Sequence, residues 1–366
     1  MKKYVTLGEV CVKGNSAIAQ KDIEQNNGSY GIYGASGYIK GVDFFHQDKP
    51  YIAIVKDGAG IGRTMLLPEK TSVIGTMQYL IPNDLVSVEY LYYAVTYMNL
   101  AKYFTGATIP HIYFKDYQKE KLPLPSKAEQ QEMADNLHRI DHLIELCKEI
   151  FDRFDLLVKS QFVEMFGDPI KNPLKWKTKP LLEMGSCKNG MNFHYDDGGV
   201  EMHCLGVGDF KDLSIITDTS TLPKISLNEI PSNEYLLQND DIVFVRSNGN
   251  KSLVGRSLVV YPNDIPTTFS GFCIRFRKED HSVITPYLLR VLKTDSIRKK
   301  MSGRGANIQN LNQQILATLE IPIPPLDLQT QFADFVQQID KSKLAVKKTL
   351  EKAETLKKAL MQEYFG

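Results

Sequence analysis

One stretch of the chain occurs twice, and that repetition limits what the chain can fold into. Residues 104–167 align without a gap on 303–366, an offset of 199, and 16 of the 64 pairs are identical. Ordinary composition would give about four. The matched pairs include Gly106/Gly305, Pro123/Pro322, Pro125/Pro324, Gln130/Gln329, Asp141/Asp340, Leu157/Leu356, Phe166/Phe365 and Gly167/Gly366.

Each copy opens extended and continues as one long helix. Leu122-Pro-Leu-Pro125 and Ile321-Pro-Ile-Pro324 cannot be helical, because proline lacks an amide hydrogen and pushes its predecessor toward extended geometry. Ser126 and Glu129 have capping-box spacing, and Asp327 is expected to play that part in the second copy. Apolar residues then recur at 4,3 spacing: Met133, Leu137, Ile140, Ile144, Cys147, Phe151, Phe154 and Val158, then Met165 after polar Gln161. That is a heptad seam. The second copy keeps Phe332, Val336, Ile339, Val346, Leu350, Ala353, Leu360 and Tyr364 but has Lys343 and Lys357 in the seam. Leu344 and Leu356 sit beside those lysines, so the apolar face is expected to drift there. With no proline or glycine inside, each helix runs for roughly 40 residues, or about 60 Å. A single apolar stripe on so long a helix needs a partner helix, and the other copy is the obvious one.

At 366 residues the chain suits two or three domains rather than one core. A net charge of +1 neither favours nor excludes nucleic acid, because a basic surface can coexist with a neutral total. The five cysteines form no CxxC pair and read as reduced thiols. With no apolar signal segment and no run of 18 apolar residues, the expected protein is cytoplasmic, with no membrane partner.

The remaining chain divides into globular segments at 1–103 and 168–302, alternating with the repeats at 104–167 and 303–366. In the first, strands are expected at Tyr30–Tyr33, Tyr51–Val55, Thr64–Leu67 and Val73–Ile81, with a closing helix at Val88–Tyr103. In the second they are expected at Asp241–Val245, Ser257–Tyr261 and Phe272–Arg277, with a helix at Pro286–Met301. Asp168-Pro and Asn172-Pro read as a linker. The order of features is shared. Leu7-Gly-Glu9-Val10 matches Leu181-Leu-Glu183-Met184, and the strand, loop and strand of Ile52–Leu67 match Ile242–Val260.

Catalytic signals are weak. Tyr51 to Gly62 runs an apolar strand into glycines, as nucleotide and S-adenosylmethionine sites do, but such sites need a helix next. Arg63-Thr-Met-Leu-Leu-Pro68 reads instead as a return strand, giving a β-hairpin. His138 and His142 lack the glutamate of HExxH and read as a solvated face, and no Gly-x-Ser-x-Gly elbow occurs. No catalytic residue, metal ligand or cofactor site is expected in this chain. Nucleic-acid readout fits better. The second hairpin loop offers Arg246, Ser247, Asn248, Asn250, Lys251 and Arg256, groups that pair with base edges or phosphates. Arg298, Lys299, Lys300 and Arg304 add positive charge, and Lys56, Arg63 and the turn from Gly34 through Ser36 to Gly37 are the analogues in the first half.

With these features in view, the whole chain resembles a type I restriction-modification specificity (S) subunit. The resemblance rests on Gly106-Ala-Thr-Ile-Pro-His-Ile112 before Leu122-Pro-Leu-Pro, on Glu129-Gln130-Gln131, on Tyr30-Gly-Ile-Tyr-Gly-Ala-Ser-Gly37 and on Met165-Phe-Gly-Asp-Pro169. Pro325-Leu-Asp-Leu-Gln-Thr-Gln331 departs from the usual Pro-Leu-x-x-Gln-Gln. The resemblance implies an α+β fold: two globular target recognition domains separated by two long helices that form an antiparallel coiled coil, with an internal pseudo-twofold repeat. Each globule would read one half of a bipartite, asymmetric site on double-stranded DNA, and Thr108, His111 and Asn307 join the candidate DNA contacts. Helix length would then set the spacing of the half-sites, about three base pairs per heptad. Two methyltransferase (M) subunits would bring S-adenosylmethionine chemistry to a flipped adenine. Restriction (R) subunits would add ATP- and Mg-dependent translocation and cleavage. Two other readings are a coiled-coil scaffold whose globules bind protein, and a stand-alone S-adenosylmethionine-dependent methyltransferase.

Overall fold

The computed structural model describes residues 3–106, 110–193, 198–210, 214–302 and 310–366. They form two compact units: Met1–Ile150 together with Ala345–Gly366, and Phe151–Leu344. The sequence division into globules and repeats is cut differently here, because both long helices, Lys127–Phe166 and Leu326–Phe365, contribute to both units.

In the first unit an antiparallel sheet runs in the order Cys11–Asn15, Met77–Pro82, Tyr51–Val55, Thr64–Leu67. The central strand Tyr51–Val55 is buried on both faces, which is why it reads as a continuous apolar run. Ile52 and Ile54 face a core closed by the helix Val88–Tyr97, whereas Tyr51, Ala53 and Val55 join a second cluster with Val73 and Tyr79. A smaller sheet pairs Tyr30–Gly34 with Gly37–Val42 antiparallel and with Ser72–Val73 parallel. The extended Leu122-Pro123 segment is a strand, Lys121–Pro123, paired with Tyr4–Thr6. The long helix starts at the expected capping box: the Ser126 amide and hydroxyl both donate to Glu129 Oε2 (2.8 and 2.7 Å).

The second unit repeats this plan. Its larger sheet runs Gly185–Asn189, Cys273–Lys278, Asp241–Val245, Ser257–Val260, with Ile215–Ile216 added in parallel at the edge. Its smaller sheet places Val200–Leu205 between antiparallel Lys224–Leu227 and parallel Thr267–Phe269. Lys177–Pro180 pairs with Glu320–Ile323. The short turns at Leu7 and Leu181, both fully buried, receive the same backbone bond, from Leu7 N to Glu120 O (2.8 Å) and from Leu181 N to Leu319 O (2.9 Å). Glu120 and Leu319 are themselves 199 residues apart.

Side chains repeat as well. Gln130 accepts from Ser87 N (2.9 Å) and donates to Leu85 O and Pro125 O. Gln329 accepts from Ile284 N (2.9 Å) and donates to Ser282 O and Pro324 O. The hydroxyls of Tyr90 and Tyr287, on the two closing helices, donate to Pro123 O (2.8 Å) and Pro322 O (3.0 Å). A helix, the extended segment and the closing helix of each globule are thus locked by one conserved geometry.

Within each unit the long-helix segments pair antiparallel. In the first, Asn136 meets Tyr364 (3.3 Å) and Asp141 bonds Lys357. In the second, Asp155 bonds Lys343 (2.5 Å), and Phe162 and Phe166 each lie 5.5 Å from Phe332. Leu137, Ile140, Cys147, Val158, Phe332, Ile339 and Ala353 are buried, as the heptad predicts. The expected drift of the second seam does not occur. Leu344 and Leu356 are half-exposed, and Lys343 and Lys357 stay in the seam because Asp155 and Asp141 take up their charges. Phe365 closes on Tyr90 (5.3 Å), and its repeat partner Phe166 closes on Tyr287 (4.8 Å).

Several local expectations are corrected. The second long helix begins at Leu326, so Asp327 lies inside its first turn rather than at the cap. There its charge suits the positive helix end. The expected strand Val73–Ile81 is two strands, Ser72–Val73 and Met77–Pro82, parted by a turn. The Val88–Tyr103 helix ends at Tyr97 and resumes as a 3-10 turn after Asn99, whose φ is +49°. The helix expected at Pro286–Met301 is two, Thr285–Lys293 and Asp295–Ser302. The linker is tightly built. Gly167, at φ +76°, could not carry a Cβ, which would meet Pro173 Cγ at 2.5 Å, and Trp176 Nε1 donates to Phe166 O (3.2 Å).

Candidate nucleic-acid interface

The candidate residues gather on one loop in each unit, and the two loops hang on the same backbone frame. In the first unit the loop joins Tyr51–Val55 to Thr64–Leu67 in an antiparallel hairpin, with no helix after its glycines. Gly62 N donates to Val55 O (2.8 Å), and the amides of Lys56 and Asp57 both donate to Thr76 O (3.0 and 3.2 Å). Ile112 N, on the repeat, donates to Lys56 O (2.9 Å). In the second unit Gly255 N donates to Val245 O (2.8 Å), Arg246 and Ser247 N to Phe272 O (2.8 and 3.3 Å), and Leu311 N to Arg246 O (2.8 Å). Lys56 therefore corresponds to Arg246, Asp57 to Ser247, Gly62 to Gly255 and Arg63 to Arg256. Gly62 is required at its place, with φ +78° and a would-be Cβ 2.4 Å from Ala101 N.

On this shared frame the side chains differ. In the first unit Lys56 Nζ and His111 Nδ1 both lie 2.7 Å from the Asp57 carboxylate, one on each oxygen. Partial burial works against that charge, but the bonds from Lys56 and His111 outweigh it and hold the carboxyl below its ordinary range. Arg63 reaches over to the turn, donating from Nη1 to Ala35 O (3.0 Å), so Gly34, buried, and Ser36, exposed, are tied to the same loop. In the second unit the Lys-Asp-His cluster is replaced by Arg246, Ser247 and Asn310. Arg246 Nη1 donates to Gly271 O (3.3 Å), and Ser247 and Asn310 form a β-bridge.

The second loop is three residues longer between its equivalent ends, ten steps from Val245 to Gly255 against seven from Val55 to Gly62. Asparagine side chains shape the extra length. Asn248 Oδ1 accepts from Asn250 N (2.8 Å), and Asn250 Oδ1 accepts from Ser252 N (3.0 Å). Asn250 and Lys251 are exposed. Arg256 repeats the role of Arg63, with Nη1 donating to Phe210 O (3.4 Å), the carbonyl that ends the 3-10 turn Val207–Phe210 after the corresponding strand. Thr108, Arg304 and Asn307 lie outside the described residues.

Sequence reasoning missed Asp57, whose carboxylate organises the first cluster. The available signal was the repeat offset, which puts His111 opposite Asn310 and so marks the loop that each one meets. It also missed Arg290 and Lys293, which face the second unit's loop from its closing helix. His138 and His142 are exposed, as expected. The five cysteines are free, and burial pushes the thiols of Cys11, Cys187 and Cys204 up to about 12, which disfavours the thiolate. Among the described residues, no helix is long and apolar enough to cross a membrane.

Comparison with known proteins gives this arrangement its family. The sequence matches the type I restriction modification DNA specificity domain twice, over residues 2–153 and 173–355. The chain belongs to that family. Among curated relatives, it is 24% identical over 334 residues to the MjaVIII specificity subunit of Methanocaldococcus jannaschii, covering 85% of this chain and 77% of the relative. It is 26% identical over 253 residues to the StySPI specificity subunit of Salmonella potsdam, covering 64% of this chain and 53%, about half, of that relative. Two solved structures share the fold. One is the S subunit of a type I restriction-modification system from M. genitalium, with TM-score 0.64, 16% identity and coverage of 100% of this chain and 96% of that one. The other comes from work on complex assembly and conformational transition of the type I R-M system, with TM-score 0.60, 16% identity and coverage of 99% and 97%. Two DNA specificity domains of this family, each with its own loop chemistry on one frame, account for the repeat and for the divergence between the globules.

Proposed function

We propose that the chain is the DNA specificity subunit of a type I restriction-modification complex, reading a bipartite asymmetric site with one globule per half-site. The observation that carries this is the pair of loops at 56–63 and 246–256. Their backbones are held by the same four bonds, while the side chains at equivalent places, counting the facing His111 and Asn310, change from Lys-Asp-His to Arg-Ser-Asn. A frame kept constant under a changing set of donors and acceptors is what two readers of different base sequences require. Family membership supports the same reading.

The chain supplies recognition and no chemistry in this proposal. Two M subunits carry S-adenosylmethionine and methylate adenine, and R subunits, where present, carry ATP- and Mg-dependent cleavage. Leu157 and Leu356 support a repeated partner surface: they are identical in the repeat and lie 44% and 50% exposed on the long helices, where an apolar side chain serves no core. Two copies of one partner can bind such equivalent patches. Mapping N6-methyladenine in cells carrying the chain and its partner subunits tests the reading. One bipartite motif is expected, and exchanging residues 1–103 for those of a homologue should alter one half of it. Methylation that is absent, or independent of this chain, would refute it.

A further inference from the structure

The second unit contains a cavity that the recognition loops do not explain. It has a volume of about 720 Å³ and lies where the return limb of the loop, at Ser252, Arg256 and Ser257, meets the closing helices at Arg290, Lys293 and Arg298 and the long helix at Asp152, Asp155 and Lys159. Five of these residues are cationic. Two lining residues are acidic: Asp155 is bonded to Lys343 (2.5 Å), and Asp152 is the other, while Lys159 is bonded to Asp295 (3.4 Å). Two lining groups have buried polar atoms without a hydrogen-bond partner: Arg290 Nε, and the Oγ of Ser257, a residue only 3% exposed. Unmet buried donors of this kind are costly unless something occupies the site.

Arg256 repeats Arg63 and Lys159 repeats Lys358, but the first unit carries no charge at the places of Arg290 and Lys293. Aligning the closing helices on Tyr90 and Tyr287 sets Tyr93 opposite Arg290 and Thr96 opposite Lys293. Both are neutral hydroxyls with partners, Tyr93 on Asp141 (3.1 Å) and Thr96 on Thr64 (2.7 Å). Arg290 and Lys293 therefore do not belong to the repeated frame, which holds the globule to its helices without them. They are particular to the second module.

We propose that this cavity is a phosphate-binding site, with Arg290 and Lys293 as its principal cations and Ser257 Oγ as a further donor, deepening the DNA-reading role of the second module. Guanidinium forks and an ammonium around a buried hydroxyl match phosphate oxygens in charge and in donor geometry. The volume falls within the range of small-molecule sites and exceeds what a lone phosphate fills. It therefore suits either a backbone phosphate with its sugar or a free nucleotide-sized polyphosphate. Continuity with Ser252 and Arg256 favours the backbone, since phosphate contacts beside a reading loop fix its register on the duplex. Lys293 donates to Ser214 Oγ (2.5 Å), and burial first, then the Arg290 guanidinium, bring its ammonium down to about 8.

The test uses the full chain with two probes, inorganic pyrophosphate and duplex DNA. The variants are Arg290→Gln/Lys293→Gln and the charge-keeping Arg290→Lys/Lys293→Arg. Melting temperature reports whether each folds. If the ligand is the DNA backbone, the glutamine variant lowers the slope of log affinity against log salt by about one to two. That loss is the same for duplexes differing in the second half-site, and the charge-keeping variant restores it. If the ligand is a free polyphosphate, pyrophosphate binds the wild type stoichiometrically without DNA, the glutamine variant loses this, and the DNA salt slope is unchanged. Because the pyrophosphate arm needs no DNA, failure of the reading role does not mask the result. A folded glutamine variant matching wild type in both arms overturns the proposal.

Discussion

Gln130 and Gln329 show how much of this fold rests on single polar side chains. Each is almost fully buried and uses its amide to tie the extended entry of its own helix to a backbone segment more than 40 residues earlier. Replacing Gln329 with alanine leaves one amide and two carbonyls unmatched, and should cost about 2–3 kcal/mol in denaturant unfolding. Asp241 is fully buried and takes a two-pronged bond from Arg277 (2.8 and 2.7 Å) and one from Gln238 N (2.7 Å). Asp241→Ala strands the guanidinium and should destabilise the protein by about 3–5 kcal/mol. Lys293 acts in the opposite sense. Its folded value of about 8 lies below the free-lysine value of about 10.4, so the unfolded chain binds more protons between those limits, and stability from this group rises with pH across that window. Below pH 8 the full cost of the buried charge is present. Lys293→Met should therefore raise the melting temperature at pH 7, with the gain shrinking toward pH 10. An equal gain at both pH values would show that the ammonium is not strained. None of these three roles is visible in sequence. A glutamine in a repeat marks only that something is kept, and Asp241 reads as the first residue of an apolar strand.

The long helices and the central hairpins were legible because their signals are local and periodic. A seam repeating at 4,3 spacing and an apolar run ending in glycines need no knowledge of distant residues. The heptad placed Leu137, Ile140, Cys147, Val158, Phe332, Ile339 and Ala353 in the core and kept Lys343 and Lys357 in line, where acidic residues from the paired helix segment hold them. At the helix ends, however, the buried residues are Phe162, Phe166, Met361 and Phe365, off that seam. Lys343→Ile, copying Ile144 of the first repeat, should stabilise the second unit by about 1 kcal/mol, since Asp155 is largely exposed and loses little. In the smaller sheets Tyr30–Tyr33 and the extended Leu122 segment were legible, but their pairings were not. Ser72–Val73 pairs with Tyr30–Gly34 across some 40 residues, and Lys121–Pro123 with Tyr4–Thr6 across more than 110, through strands too short to carry a pattern of their own. Helix ends matter as much as helix middles. Phe365, at the end of the second long helix, packs in the core of the first unit against Tyr90. Phe365→Ala should remove about 3 kcal/mol from the unfolding free energy of that unit.

At the scale of the whole chain, the repeated and the unrepeated parts divide the work. The repeat supplies the helices, the proline strands and the glutamine locks, all of which can be recognised by sliding the sequence against itself; the loop frame is repeated in the structure. The parts that differ, Lys56, Asp57 and His111 against Arg246, Ser247 and Asn310, are those that would meet different bases, and no short motif announces which. The candidate loops were found by composition. That they share one frame became visible only when Thr76 and Phe272, and Ile112 and Leu311, were seen to occupy matching places. Methylation mapping in cells after replacing residues 246–256 with the loop of a homologue of different specificity tests this division most directly. The account predicts a motif changed in one half only, with the other half and the spacing between them retained. A change in both halves, or in neither with the protein still active, would contradict it.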